Sequence, residues 1–343
     1  MTHYRIKRFV IFSLLAGVTL TISLFGIATT MPGRSHKGPL PALTDQESEL
    51  KRRLSAHVHK LAGEIGERNM AKPAALDAAA RYIAESFTAS GYQTSAQEFK
   101  VSGRTVRNVE AELRGKTRPD EVVLLGAHYD SVLGSPGAND NATGVAAVLE
   151  LARLFSAAKS DRSIRFVCFV NEEPPYFRSE DMGSWHYAKR CREQNESVAA
   201  MLSLETIGYY SDTKGSQLYP MPFGLLYPDT ANFIGFVGNP ASRDLLFKCI
   251  GAFRRNTQFP SEGIAAPSWI QGIDWSDHSC FWSRGYPAIM ITDTAPFRYP
   301  YYHSSEDTPD KVDYARTARV VAGLSRIVNE LSCISKSAAV PNP

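Results

Sequence analysis

The chain has 343 residues, of which 43% are hydrophobic and 21% are charged, a composition typical of a globular protein. The formal net charge is only +3, and part of the excess lies in Arg5, Lys7 and Arg8, ahead of the fold. A nearly neutral chain lacks the clustered basic face of nucleic-acid-binding proteins, so we predict no nucleic-acid partner. The length accommodates one large α/β domain or two small ones.

The N-terminal region is predicted to be separate from the fold. Residues 1–8 form a basic flank, and residues 9–31 follow without a charge. At ~1.5 Å per residue, this apolar helix could cross a hydrocarbon core of ~30 Å. Its length and the poor cleavage site near Ala28 favour a transmembrane anchor over a cleaved signal peptide. Either way the flank stays in the cytoplasm and the domain is exported, to the periplasm or the cell exterior, and cleavage would make it a secreted protein.

Residues 32–44 are rich in Pro and Gly and are predicted to link the membrane to the domain. The catalytic domain is expected over residues 45–335, followed by a flexible tail at 336–343. The cysteines form no Cys-x-x-Cys pair, so a thiolate zinc site is not indicated: they are Cys168, Cys191, Cys249, Cys280 and Cys333. Their odd number leaves at least one free thiol, and one disulfide of open pairing is compatible with export. No oligomeric state is indicated.

Strands and helices alternate along the domain. Two amphipathic helices are predicted first, at 45–64 and 74–90, and then a short strand at 108–113. Continuous apolar runs predict buried strands at 121–130, 164–170, 201–207 and 287–292. Further helices are predicted at 141–158, 180–192, 241–256 and 310–334. The alternation predicts an α/β domain with a mostly parallel sheet, whose ligands bind where the strands end.

The first apolar run ends in His128-Tyr-Asp130. Residues two apart on a strand share a face, so Asp130 can orient the His128 ring as a metal ligand. A surface His-x-Asp at the start of a loop is the alternative. Asp140 follows in a Gly-bounded loop that leads into a helix. Its plain interpretation is an N-cap, and its functional one is a carboxylate held toward the sheet edge.

The later strand ends carry acids. Glu172 and Glu173 are adjacent and would repel each other without a cation nearby. Pro174 biases Glu173 toward an extended conformation, so one acid can bind a metal while the other faces metal-bound water, unless the pair is simply a solvated turn. Glu205 lies within an apolar strand, where an unpaired carboxylate is costly and a cation would be its partner. His303 precedes the last helix, where a structural role is the alternative.

Imidazole and carboxylate donors without a thiolate suit zinc, with cobalt or manganese as substitutes. Two ions ~3.5–4 Å apart need a bridging carboxylate and can activate water while polarising a carbonyl. The chain carries, in order, the segments GAHYDSV, GANDNATGVAAVLELAR, NEEP, SLETIGY, SDHSCFW and YYHSSEDTPDKVDY. In this combination it resembles the family-28 metallopeptidases, which include co-catalytic zinc aminopeptidases and glutaminyl cyclases. The resemblance extends from about residue 50 to residue 335.

The resemblance implies a three-layer αβα sandwich with a mostly parallel, mixed central sheet, the zinc exopeptidase fold. It implies two zinc ions, with a single ion as the alternative, bound by five residues: His128, Asp140, Glu173, Glu205 and His303. Asp140 would bridge both ions, Glu172 would be the general base, and Asp130 would be the hydrogen-bond partner of His128. In relatives the peptide bond after the bridging Asp, here Asp140-Asn141, is often cis.

Three positions bear on the activity. Glu205 stands where the better-known relatives carry Asp, so the resemblance leaves the spacing and occupancy of that metal open. Tyr302 precedes the last ligand, where some aminopeptidases use Tyr to stabilise the oxyanion and the cyclases tend to have Trp, which favours hydrolysis. Asp277 is a candidate contact for the substrate amino group, with a structural role as the alternative.

The expected function is therefore that of an aminopeptidase acting on peptides. A glutaminyl cyclase forming N-terminal pyroglutamate is the first alternative, and carboxypeptidase or dipeptidase specificity is also open. A non-catalytic receptor-like domain is the remaining alternative, although every predicted ligand position holds a residue that can bind a metal. The aromatic segment 215–239 is expected either to form an apolar specificity pocket over the site or to pack in the core.

Overall fold

A computed structural model describes residue 26 and residues 28–333. Its centre is one sheet of eight strands: β1 (Thr94–Val101), β2 (Arg104–Leu113), β3 (Arg118–His128), β4 (Arg162–Phe169), β5 (Ser197–Leu204), β6 (Ile234–Gly238), β7 (Ser261–Ala265) and β8 (Ala288–Thr292). Their order across the sheet is β1-β2-β4-β3-β5-β8-β6-β7. The central strands β4, β3, β5 and β8 are parallel to one another, and β6 is parallel to β7. Antiparallel pairs join β1 to β2, β2 to β4 and β8 to β6. The predicted mixed, mostly parallel centre is confirmed.

The helices of the described part of the chain include α1 (Asp45–Val58), α2 (Pro73–Ala89), α3 (Thr143–Phe155), α4 (Gly183–Glu193), α5 (Arg243–Asn256), α6 (His278–Trp282) and α7 (Tyr314–Leu331). Helix α1 begins after Thr44, which forms a capping box with Glu47. Helices α1, α2, α3, α5 and α7 pack on one face of the sheet, and α4 and α6 pack on the other. The three-layer αβα arrangement is therefore confirmed.

Strand β3 shows why the central runs are apolar throughout. Val123 and Leu125 point into the core beneath α1, α3 and α7, whereas Val122 and Leu124 point into the core beneath α4 and α6. Because successive side chains of a strand face opposite sides, a strand covered on both faces needs apolar residues at every position. Strands β4 and β5 are likewise buried on both faces. This burial fixes the position of the sheet edge at which the carboxyl ends of the three strands lie.

Strands β1, β6 and β7 were not predicted. Strand β1 is amphipathic and lies at one edge of the sheet, so its exposed polar residues hide the strand pattern. Strands β6 and β7 have five residues each and contain glycines, which weaken the strand signal. These two short strands extend the sheet beyond β8 and form the floor of a pocket.

The segment predicted as a linker lies against the domain at its start. Arg254 donates a hydrogen bond to the carbonyl of Pro32 at 3.1 Å, and the backbone N–H of Ser261 donates to the Ser35 hydroxyl at 2.9 Å. Residues 9–25, residue 27 and residues 336–343 lie outside the described residues, so the predicted anchor and tail stay predictions. Within residues 26 and 28–333, none of the helices has both the length and the apolar character needed to span a bilayer.

Candidate metal centre and adjoining pocket

The predicted ligands converge where the central strands end. His128 is the last residue of β3, Glu173 follows the neighbouring strand β4, and Glu205 directly follows β5 on the other side. Asp140 comes from the loop between β3 and α3, and His303 from the loop before α7. Because parallel strands end at the same edge, residues far apart in sequence meet there.

Two groups of donors share one carboxylate. In the first group, Nε2 of His128 lies 3.2 Å from Oδ1 of Asp140 and 3.3 Å from Oε2 of Glu205. In the second, Nε2 of His303 lies 3.2 Å from Oδ2 of Asp140 and 3.1 Å from Oε2 of Glu173. Each oxygen of Asp140 therefore faces a different imidazole, as a carboxylate bridging two cations would.

The spacing of the donor atoms suits bound cations better than direct hydrogen bonds between these atoms. His128 Nε2, Asp140 Oδ1 and His303 Nε2 are buried and have no hydrogen-bond partner among the described residues. Buried polar atoms without partners are costly, so their convergence needs a binding partner. Ligands ~2.0–2.1 Å from a tetrahedral zinc ion lie about 3.3 Å from one another. The observed separations of 3.1 to 3.3 Å match this spacing.

Electrostatics ties the two histidines to the acids. Burial alone would lower the pKa of His303, but the Asp140 and Glu173 carboxylates next to its Nε2 raise that pKa to about 10. Burial likewise opposes the charged form of His128, and the Glu205 and Glu172 carboxylates raise its pKa well above the usual range. The acids thus concentrate enough negative potential at the strand ends to favour positive charge there.

Asp130 joins two strand ends. One of its oxygens accepts the backbone N–H of Glu172 and the other that of Glu173, both at 3.1 Å. The same carboxylate lies 3.5 Å from Nδ1 of His128. Asp130 therefore lies beside the histidine as predicted, and it also orients the backbone that carries both glutamates.

Glu172 faces the first group without joining either one. Its Oε2 lies 3.9 Å from Nε2 of His128, and only 6% of the residue is exposed. Burial, with the nearby Glu205 and Glu173 carboxylates, raises the pKa of Glu172 well above its usual range. A buried carboxyl that favours its protonated form is suited to accept a proton and later release it.

Three residues at the site hold the left-handed backbone conformation that side chains other than glycine seldom adopt. Their φ angles are 60° at Asn171, 47° at Thr206 and 55° at His303. Asn171 directly precedes the pair of glutamates, and Thr206 directly follows Glu205. Such residues are concentrated at functional sites, where each costs about 1–3 kcal/mol. The peptide bond between Asp140 and Asn141 is cis, as the resemblance implied.

Asp277 does not fit its predicted contact with a substrate amino group. The residue is fully buried, and neither carboxylate oxygen has a hydrogen-bond partner among the described residues. Burial raises its pKa to about 7. Full burial leaves no exposed atom of Asp277 for a substrate amino group to contact.

Sequence reasoning gave no role to three residues that hold the ligands in place. Asp307 accepts the backbone N–H groups of Asn139, at 2.7 Å, and Asp140, at 3.0 Å. Ser276 donates a hydrogen bond to Oε2 of Glu205 at 2.8 Å. Arg68 is fully buried and donates to the carbonyl of Tyr129 at 2.6 Å, which braces the chain after β3. Asp307 lies within a quoted motif, whereas neither Ser276 nor Arg68 has a local pattern that reveals its contacts.

An open pocket adjoins the metal centre, with about 860 Å³ of empty space when the solvent at its mouth is included. Glu205 and Tyr302 line its near end, and Tyr302 stacks on the His303 ring with the centroids 3.8 Å apart. Tyr219, Phe223 and Tyr227 of the segment 215–239 also line it, whereas Phe236 belongs to the core as well. Side chains of this segment therefore both line the pocket and pack in the core, and its role in specificity stays a prediction.

The comparisons agree on one family. The model for peptidase family M28 matches residues 108–328. The uncharacterized Escherichia coli (strain K12) protein YfbL is 38% identical over 73% of this chain and 78% of its own length. The aminopeptidase YwaD of Bacillus subtilis (strain 168) is 39% identical over 57% of this chain, but the match covers only 38% of that protein.

Solved structures share the fold. A zinc aminopeptidase from Bacillus subtilis superimposes with a TM-score of 0.67 at 16% identity, over 84% of this chain and 97% of that one. A glutaminyl cyclase from Fimbriiglobus ruber superimposes with a TM-score of 0.56 at 19% identity, over 85% and 98%. The fold is therefore shared with solved structures of both kinds, an aminopeptidase and a glutaminyl cyclase. The family model covers most of the predicted catalytic domain. The chain belongs to peptidase family M28.

Proposed function

We propose that this chain is a zinc-dependent aminopeptidase that removes N-terminal residues from peptides. The observation that carries the proposal is Asp140, whose two oxygens lie 3.2 Å from the facing nitrogens of His128 and His303. Glu205 would complete the first cation site and Glu173 the second. Two zinc ions bound there would polarise the peptide carbonyl and acidify a water molecule.

The other residues of the site have definable roles in hydrolysis. Glu172 would take the proton from the attacking water and pass it to the leaving amine nitrogen, which its buried position next to His128 supports. Tyr302, at the junction of the metal centre and the pocket, would donate a hydrogen bond to the oxyanion. The near end of the pocket would receive the side chain of the first residue.

Replacing Glu172 by Gln tests the proposal. We expect Glu172→Gln to retain the zinc content of the unaltered chain, because Glu172 belongs to neither donor group. Hydrolysis of alanyl- and leucyl-4-nitroanilide should fall by about 10²–10⁴-fold. Glu306→Gln is the matched control, since Glu306 is exposed in the His303 loop. Unchanged turnover in Glu172→Gln would remove Glu172 as the base.

A glutaminyl cyclase is the second candidate, because a cyclase is among the similar folds. Tyr302 argues against it, since the resemblance places Trp there in cyclases. Incubation with a peptide that begins with Gln separates the two. Ammonia release without cleavage of any aminoacyl amide would establish the cyclase and exclude the aminopeptidase.

We also propose that residues 9–31 anchor the chain in a membrane with the domain exported. The support is the uncharged stretch that follows a basic flank. Extraction of membranes with alkaline carbonate measures this directly. An anchored chain stays in the membrane pellet, whereas recovery of the full-length chain in the supernatant would contradict the proposal.

A further inference from the structure

The pocket is much longer than a first residue requires. Thr292 of β8 pairs with Gly235 of β6, and Gly235 pairs with Glu262 of β7. Glu205 extends the same row on the other side, because its N–H donates to the carbonyl of Ile291. All four residues of this row line the pocket: Glu205, Thr292, Gly235 and Glu262. Three strand spacings of ~4.8 Å make the row about 14 Å long. We call the part of the pocket that runs along this row the slot.

The walls of the slot are apolar. A second row of Met290, Val237 and Ile264 lines its floor, and Tyr219 and Tyr227 also line the slot. Both tyrosine hydroxyls are engaged elsewhere, with the carbonyls of Pro228 and Gly263 at 2.7 Å. The rings therefore contribute carbon surface to the slot.

Three of the polar side chains along the slot also have protein partners. Thr206 donates to Asp293 at 2.6 Å, and Gln217 accepts from Arg298 at 2.7 Å. Glu262, at the far end, lies 3.9 Å from Arg254. Arg254 belongs to α5, so the cation next to Glu262 comes from the opposite face of the sheet.

No natural side chain fills this length. A carbon chain advances ~1.25 Å per bond, so even a lysine side chain extends only ~6 Å, whereas an acyl chain of about ten carbons extends ~11 Å. An unbranched acyl chain on the carbonyl carbon would follow the same path as the side chain of a first residue. The slot offers it apolar contact from the metal centre to the edge strand.

We propose that the site also hydrolyses amides of unbranched acyl chains of about this length, with the chain lying in the slot. Water adds to the acyl carbonyl carbon and the C–N bond breaks. Glu172 carries the proton of the water to the leaving nitrogen, so the products are a carboxylate and an amine. This inference rests on the amide hydrolysis proposed above and adds a substrate class to it.

The test is a chain-length series of acyl-4-nitroanilides, from acetyl through octanoyl and decanoyl to myristoyl, below their micelle concentrations. Each methylene buried in the slot should raise kcat/KM by about fourfold. The rise should stop near decanoyl, where the slot ends. The zinc-loaded full-length chain is used, with alanyl-4-nitroanilide as the reference substrate.

Two variants move the predicted end of the slot. Ile264→Phe narrows its far half, and Gly235→Ala places a methyl group at its middle, 3.1 Å from the carbonyl oxygen of Thr292. In both, the rise should stop at shorter chains than in the unaltered enzyme. Leu225→Phe is the matched control, because Leu225 is 78% exposed and does not line the slot. Its rise should still end near decanoyl.

The outcomes separate the two proposals. Cleavage of alanyl-4-nitroanilide without cleavage of any acyl anilide would overturn this inference and leave the aminopeptidase intact. A kcat/KM that does not depend on chain length, or an end point that neither variant moves, would overturn it as well. If no anilide of either kind is cleaved, the proposed function fails together with it.

Discussion

At the scale of residues, Glu205 is the predicted ligand that departs from the pattern of the better-known relatives, and the contact with Ser276 explains how a glutamate can serve there. Ser276 is fully buried and donates to Glu205 Oε2, the oxygen that faces His128. Its own hydroxyl lies 2.9 Å from that of Ser203. A glutamate arm has one more rotatable bond than an aspartate arm, so this hydrogen bond removes the added freedom.

Ser276→Ala should therefore weaken zinc binding at the His128 group by about tenfold, as loss of a partner of a metal ligand does elsewhere. The measurement is the zinc retained after dialysis against chelators of graded affinity. Ser283→Ala is the matched control, since the Ser283 hydroxyl donates to the carbonyl of Cys280 within its own helix turn. Equal zinc retention in Ser276→Ala and the unaltered chain would show that Glu205 needs no such support.

The residues that could be predicted are those that stand in short, recognisable sequence motifs. His128, Asp140, Glu172 and Glu173 stand in short segments whose order carries the family resemblance. The contact of Ser276 with Glu205 joins residues 71 positions apart, and the contact of Arg68 with Tyr129 joins residues 61 apart. Neither has a local pattern, because only the folded sheet brings the partners together.

At the scale of elements, the short helix α6 is held by His278, whose environment makes stability depend on pH. Its Nε2 donates to the carbonyl of Ile273 at 2.8 Å, and its ring meets that of Trp282 edge-on with the centroids 4.4 Å apart. Nδ1 is buried without a partner among the described residues. Burial lowers the pKa of His278 to about 4, so the folded state keeps the imidazole neutral.

The sign of the effect follows from proton binding. Above the pKa of the unfolded chain, ~6.5, the imidazole is neutral in both states. Between this value and about 4, only the unfolded state binds the proton, so the free energy of unfolding falls as the pH falls. The loss attributable to His278 is roughly 3 kcal/mol.

Urea unfolding at several pH values measures this dependence. His278→Gln should show a shallower loss of stability between neutral pH and pH ~4 than the unaltered chain. His59→Gln, which changes an exposed histidine, should leave the slope as it is. Parallel pH profiles for His278→Gln and the unaltered chain would contradict the assignment.

The strands show the same division between what sequence reveals and what it hides. Strand β3 was predictable because both of its faces are buried, so every position is apolar. Strand β7, with the sequence Ser-Glu-Gly-Ile-Ala, lies at the sheet edge and needs no such run. Its place is set by its pairing with β6, and the far end of the slot could not be located without that pairing.

At the scale of the whole molecule, the fold brings one set of carboxylates and imidazoles to a single edge of the sheet. The order β4-β3-β5 places the ends of three parallel strands side by side. The loops that carry Asp140 and His303 close over them. The architecture follows from alternating apolar strands and helices, which is why the fold class could be predicted. The resemblance implied that Asp140 is shared, whereas its 3.2 Å separations from His128 and His303 are visible only in the folded chain.

The central claim is that Asp140 lies between two cation sites. Diffraction from crystals of the zinc-loaded protein at the zinc absorption edge tests it most directly. We expect two anomalous peaks ~3.5–4 Å apart, one beside His128 and Glu205 and the other beside Glu173 and His303. A single peak at the site, or peaks that do not flank Asp140, would contradict the account.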